Sequence, residues 1–478
     1  MAALLTVMSK FLGLFSFLLI ASPISCMAQG GINWFQDLQA HQEKCVNASP
    51  QMSCPHSVDN FESLVTPESG LGAKAEVLLG QKLPPNFISN QNPYAPLDFS
   101  KAPQLKAVYV ATLVFRADFY GTVMARLLAY HADHGAVVNV LTTGYMMLDK
   151  DKALLRPLTK LHPNFYLDEF KYNDPGSPLH QAANIVNDKF RDTHIKLFIT
   201  LSDHKNSDNV VIFGGRNIHD GFLFTTQPDY SKYPKLVQYG KDDSFVHWND
   251  FEAKVKSLEL ANTVASHLQR FLDRNKPTQM MRPFAIDEPN LTGEGQPGGT
   301  FRHFISVPYV DDHFLEKQYV KMIDSAQSTI KISSPYLRPT TQIMAALKRA
   351  SKRKVDITIQ TRVELKGDTQ AWLYEEVNKE SINALYQDAR IYKWTENSIL
   401  HSKFLLIDGK VALLGSVNLS RRSFVQDVEN GFVIQSGAIV RGMESIFDSY
   451  VSRSERISEP LLRKEAPTVV IRMLENQF

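Results

Sequence analysis

The chain has 478 residues, enough for two or three ordinary domains or one large duplicated unit. Hydrophobic residues make up 44% and charged residues 21%, so a sizeable core can form and a disordered or fibrous chain is excluded. With 52 basic and 50 acidic residues the net charge is +2, which excludes a global pull toward nucleic acid or anionic lipid and makes any positive site a local one.

Lys10 is the one charge in the first 28 residues, an apolar run from Phe11 to Ala21 follows it, and small residues arrive at Ser22, Ser25 and Ala28. A basic start, a short apolar stretch and a small-residue exit predict a secretory signal peptide over residues 1–28, hence a periplasmic or secreted protein. The alternative is a segment that stays attached as a membrane anchor, but its apolar run is short for a bilayer. Cys26 makes a lipoprotein site conceivable, although Pro23 fits such a site poorly. Cys45 and Cys54 could close a disulfide loop in an oxidising compartment, and no cysteine pair has metal-binding spacing.

Residues 29–100 mix polar residues with prolines and read as an irregular lead-in packed on the main body. From there the pattern sharpens. Val108–Phe115 reads as an apolar strand, Asp118–Gly121 opens a helix, and Val137–Leu141 is a second strand. The same order returns with a strand at Thr329–Ser333, a helix marked by Ile343, Met344 and Leu347, and a strand at Val355–Thr361. Between the two stretches, residues 275–300 are rich in Pro and Gly and read as a linker. An α/β fold follows, with one domain over 101–274 and a duplicate over 301–478. Each is expected to be a mixed, mostly parallel sheet flanked by helices, the two packed as a pseudo-twofold pair.

The sharpest motif lies in the second copy. His401, Lys403, Asp408, Gly415, Ser416 and Asn418 follow H-x-K-x-x-x-x-D with a downstream G-S-x-N. Phe404–Ile407 reads as a buried strand, Asp408-Gly409 as a tight turn and Val411–Leu414 as the returning strand. The first copy has His194 and Lys196 before the apolar run Leu197–Leu201, then Gly214-Gly215-Arg216-Asn217. Leu201 stands where the motif calls for Asp, and the turn is longer. Asp208 is the preferred substitute and Asp203 the runner-up. Downstream, Asp250-Phe251-Glu252 matches Asp427-Val428-Glu429.

Two His, two Lys and two Asn suit phosphoryl chemistry without a metal. One imidazole can attack the phosphorus of a diester and hold it as phosphohistidine. The other can protonate the departing oxygen and then deprotonate the acceptor. Lys196, Lys403, Asn217 and Asn418 would hold the non-bridging oxygens, with Gly215 and Ser416 beside the substrate. An acidic partner on each far ring nitrogen would fix the tautomer, the candidates being Asp250 or Glu252 and Asp427 or Glu429. Asp408 completes the motif, though its place at a strand end suits securing the turn. Arg421-Arg422 could contact a phosphate, but arginines after a turn are usually solvated.

At these residues the chain resembles the phospholipase D superfamily over roughly residues 100 to 460. The phrase Gly214-Gly215-Arg216-Asn217-Ile218 with Asp220-Gly221-Phe222 is similar to the first-motif ending of bacterial cardiolipin synthases. The resemblance implies a phosphodiesterase or phosphatidyltransferase working through a phosphohistidine with no cofactor. It puts the nucleophile on His194, the general acid on His401 and an acidic partner on Glu429. Three readings follow: a lipid enzyme acting at a membrane surface as a monomer with an internal pseudo-dimer, a nuclease, or a decayed binding protein. A nuclease should profit from a basic track, which this chain lacks, so no nucleic-acid partner is expected.

Overall fold

The computed structural model describes residues 51–58, 60–172, 191–238, 245–273, 299–308, 311–364 and 371–463. The expected signal segment, Cys26, Cys45 and nearly all of the expected linker lie outside them. Cys54 is fully buried and disulfide-bonded.

Two sheets organise the molecule. The first runs Glu62–Leu64, Glu252–Lys256, Val210–Gly214, Leu197–Leu201, Ala107–Ala111, Val137–Thr143 and Phe165–Phe170. The second runs His56–Ser57, Thr300–Ser306, Glu429–Gln435, Val411–Gly415, Phe404–Ile407, Thr329–Ser333, Asp356–Thr361, Arg390–Trp394 and Ser454–Ile457. Both are mixed, but the mostly parallel expectation is corrected. In the first sheet only Ala107–Ala111, Val137–Thr143 and Phe165–Phe170 run parallel. In the second only Thr329–Ser333, Asp356–Thr361 and Arg390–Trp394 do so. The motif segments are hairpins, and a tight turn can join only antiparallel strands.

The lead-in is not irregular either. Residues 67–79 form a helix that starts on Pro67 and ends at Gly80 in the left-handed region, φ 67°. Before it, His56–Ser57 extends the second sheet and Glu62–Leu64 the first, so one short stretch joins an edge of each.

Packing follows the repeat. Helix Leu258–Leu272 is capped by Ser257 and buries Leu260, Val264, Leu268 and Phe271. Helix Gly437–Val451 is capped by Ser436 and buries Val440, Met443, Phe447 and Tyr450. Both faces enter one core that also takes Ile199, Phe213 and Phe251 from the first half and Phe404, Leu414 and Phe432 from the second. Phe213 and Phe432 meet there at 3.9 Å between ring centroids. Each such buried side chain stabilises the fold by roughly 1.5–3 kcal/mol, so the halves are joined through a shared interior. Each sheet has its own outer core on the other face.

Candidate active site

The two motif hairpins present their His and Lys at the same end. Leu197 pairs with Phe213, and Phe404 with Leu414, so each H-x-K lies just ahead of its first strand. The following strands give the internal alignment: Gly214 pairs with Glu252, and Gly415 with Gly431. By that register Asp250 is the counterpart of Glu429, which corrects by two residues the match of Asp250 to Asp427 read from the sequence.

The halves exchange contacts at both histidines. The His194 N–H donates to the Val428 carbonyl at 2.8 Å, and Nδ1 of its ring lies 3.0 Å from Glu429 Oε2. The His401 N–H donates to the Asn249 carbonyl at 2.8 Å, and its Nδ1 lies 2.8 Å from Asp250 Oδ2. Each histidine is thus held by two consecutive residues of the other half, one at its backbone N–H and one at its ring. With Nδ1–H donated to a carboxylate, Nε2 is the nitrogen left for chemistry.

Both carboxylates are themselves fixed. Glu429 is buried and accepts from the hydroxyls of Ser416 and, at 2.5 Å, Ser423. Asp250 accepts from the Phe251 N–H at 2.8 Å. A Cβ on Gly215 would sit 2.1 Å from Asp250 Oδ2, so glycine is the residue that lets this carboxylate approach. Gly215 and Ser416, expected beside the substrate, therefore serve the two carboxylates.

The lysines and asparagines close the site. Lys196 Nζ donates to the His194 carbonyl at 2.9 Å, and Lys403 Nζ to that of His401. Asn217 is buried, and its Oδ1 accepts from Thr112 Oγ1 at 3.2 Å and from the Val114 N–H at 3.4 Å. Asn418 Oδ1 is buried without a hydrogen bond.

Burial dominates the electrostatics. It holds His194 and His401 well below their ordinary value, helped by Lys196 and Lys403 respectively. It lowers Lys196 to about 8 against the pull of Glu429, and puts Lys403 well below its usual range. Burial also raises Glu429 to about 7, with Lys196, Ser416 and Ser423 pulling back, and raises Asp250. The site is a buried cluster of cations and carboxylates in which a bound anion would be attracted by the two ammonium groups.

Other expected residues stand elsewhere. Asp408 lies at the far end of its strand, with φ 53°, and accepts from the N–H groups of Gln327, Ser328 and Thr329 at 2.8–2.9 Å. It secures the hairpin and is not among the groups around the histidines. Asp208 sits on the turn of the first hairpin, also away from His194. The turn is closed instead by Asn209, whose side chain accepts from the Ser202 N–H at 3.0 Å and donates to the Ser202 carbonyl at 3.1 Å. Glu252 ion-pairs with Lys74 at 2.7 Å and meets neither histidine. Asp427 pairs with Arg422 at 2.8 Å, and Arg422 reaches Asp192 of the first half, also at 2.8 Å. Arg422 is therefore a half-buried clasp between the halves and not a solvated arginine.

Sequence reasoning missed several neighbours. Asn430 Oδ1 accepts from the Lys196 N–H at 2.8 Å, a further bond between the halves. Trp248 and Phe222 flank the His401 ring at 4.8 and 5.1 Å between centroids. Asn430 directly follows Glu429, which was a usable signal; the aromatics carried none.

Residues 319–451, which hold the second motif, match the family model described as "Cardiolipin synthase, PLD-like domain". That match places a phospholipase D-like domain in the second half of the chain. The chain is 24% identical over 385 residues to a cardiolipin synthase of Clostridium perfringens, covering 76% of this chain and 72% of that protein. It is 31% identical over 222 residues to cardiolipin synthase 2 of Staphylococcus epidermidis, covering 46% of this chain and 43% of that protein. The crystal structure of a phosphatidylserine synthase from Haemophilus influenzae shares the fold, with a TM-score of 0.60 at 12% identity, covering 88% of this chain and 94% of that one. Among the described residues, no helix is long and apolar enough to cross a membrane.

Proposed function

We propose that the chain is a phospholipase D-type enzyme that transfers the phosphatidyl group of a glycerophospholipid through a covalent phosphohistidine. The observation that carries this is the pair of exchanged contacts, His194 with Glu429 and His401 with Asp250, which leaves two imidazole Nε2 atoms in one site. The cardiolipin synthases among its relatives support a phospholipid as substrate.

In the first step Nε2 of His194 attacks phosphorus and the P–O bond to the headgroup breaks. His401, protonated on Nε2, gives that proton to the departing oxygen. In the second step His401 takes a proton from water or an alcohol, whose oxygen attacks phosphorus as the P–N bond breaks. Lys196, Lys403 and the amides of Asn217 and Asn418 hold the phosphoryl oxygens. In the empty site burial keeps both histidines neutral. The substrate's negative charge favours the imidazolium, so His401 is charged when it is needed. Water as acceptor gives phosphatidic acid; a lipid alcohol gives a transfer product. The N-terminal segment supports export, with one chain supplying the whole site.

The test incubates the mature protein with phosphatidylglycerol, phosphatidylethanolamine or phosphatidylcholine, with and without an alcohol. Phosphatidic acid marks hydrolysis, and cardiolipin or a phosphatidyl-alcohol marks transfer. His194→Ala and His401→Ala should each abolish turnover. Cleavage of DNA but of no lipid would overturn the proposal, and normal turnover by His194→Ala would remove the nucleophile assigned here.

A further inference from the structure

A cavity of about 180 Å³ opens beside the second half of the site, with Arg362, Lys393, Asn397 and Ser398 in its lining and Glu364 and Glu396 exposed at its rim. Its wall continues through Ile399, whose N–H is held by the His247 carbonyl at 2.7 Å, to His401. Arg362 is 7% exposed, and its guanidinium makes no ion pair and no hydrogen bond among the described residues. The Tyr336 ring lies 5.4 Å from the guanidinium carbon, and the Glu375 carboxylate acts on the charge from a distance without forming an ion pair. Nε is buried without any acceptor.

A buried arginine with no carboxylate bound to it is costly, because desolvation of its charge outweighs the more distant pull of Glu375. Lys393, by contrast, is already paired with Glu455 at 2.9 Å. The two rim glutamates are solvated, so their field is screened, whereas the guanidinium lies away from water.

We propose that Arg362 and its cavity form a second anion subsite, which takes a phosphate-type group other than the one undergoing reaction. A guanidinium matches such a group with two parallel hydrogen bonds. The group is borne by the lipid headgroup or arrives as free phosphate. The headgroup case rests on the lipid-cleaving reading above; the free-anion case does not.

The test compares the wild-type chain with Arg362→Met and Arg362→Lys. Turnover is measured on phosphatidylinositol and on its monophosphate, which differ only by the added anion. Thermal melting is followed with and without inorganic phosphate. For a headgroup anion, Arg362→Met raises KM for the monophosphate about tenfold or more and leaves phosphatidylinositol unchanged. Arg362→Lys, which keeps the charge but loses the fork, shows part of that shift and guards against misfolding of the Met variant. For a free anion, lipid kinetics are unchanged, but phosphate stabilises Arg362→Met less than the wild type. Arg362→Met should melt no lower than the wild type without phosphate, since it removes an unpaired buried charge. If neither the KM ratio nor the phosphate-dependent stabilisation changes, the subsite does not exist. If the wild type cleaves no phospholipid yet loses phosphate binding on Arg362→Met, the subsite stands and the lipid reading falls.

Discussion

Asp250→Asn isolates one histidine of the pair. In the native site Asp250 Oδ1 takes the Phe251 N–H at 2.8 Å and Oδ2 faces His401 Nδ1, also at 2.8 Å. An asparagine that keeps the bond from Phe251 must turn its NH₂ toward the imidazole. His401 then offers Nδ1 as acceptor and carries its proton on Nε2, the opposite tautomer. Loss of one charge-assisted hydrogen bond in a buried site costs about 1.5–3 kcal/mol, or roughly 10–100-fold. The wrong tautomer can extend the loss toward ~10⁴-fold, the figure known for the analogous change in a Ser-His-Asp triad. His194 keeps Glu429 and can still be phosphorylated when the leaving group departs unaided. The assay is therefore a burst experiment with a nitrophenyl phosphodiester. Asp250→Asn should release about one nitrophenolate per chain and then turn over 10²–10⁴-fold more slowly, with the label on His194. Steady turnover within about threefold of the wild type would refute the pairing. A burst labelled on His401 would reverse the two roles.

Three further outcomes follow from the same geometry. Lys196, lowered to about 8, is protonated below that pH and neutral above it, so kcat/KM should fall as pH rises through that range. Lys196→Arg, which does not titrate there, should move that limb to higher pH; an unmoved limb assigns it to another group. Asp408→Ala removes an acceptor from three backbone N–H groups and should cost about 1–3 kcal/mol in denaturant unfolding, with kcat of the folded protein retained. Gly215→Ala places a methyl 2.1 Å from Asp250 Oδ2 and should lower kcat at least 100-fold by displacing that carboxylate, while the melting temperature changes little; full activity would show that Asp250 is not needed in place.

The histidines, lysines and asparagines were legible because a hairpin imposes fixed spacing on them. The carboxylates were legible only as candidates. Asp-x-Glu recurs in both halves, but spacing within a strand does not give its register, and the pairing of Gly214 with Glu252 shifts the true counterpart to Asp250. That each carboxylate serves the other half's histidine depends on how two sheets meet, which no local pattern encodes. Asn209 closes the turn of the first hairpin from its far side, within that turn alone, so a search at the motif position finds only Leu201. The strands at His56 and Glu62 span two and three residues, too short for any periodicity to show.

The crossed carboxylates give the chain a genetics of its own. Asp250 belongs to the first half by position and to His401 by chemistry, while Glu429 belongs to the second half and serves His194. A lesion at either carboxylate is felt in the half that does not carry it. Two chains, one damaged at His194 and the other at His401, could recover an intact pair only by exchanging whole halves. A chain cut in the 275–300 stretch would yield two pieces, each holding one imidazole and the carboxylate for the other, both silent until they meet.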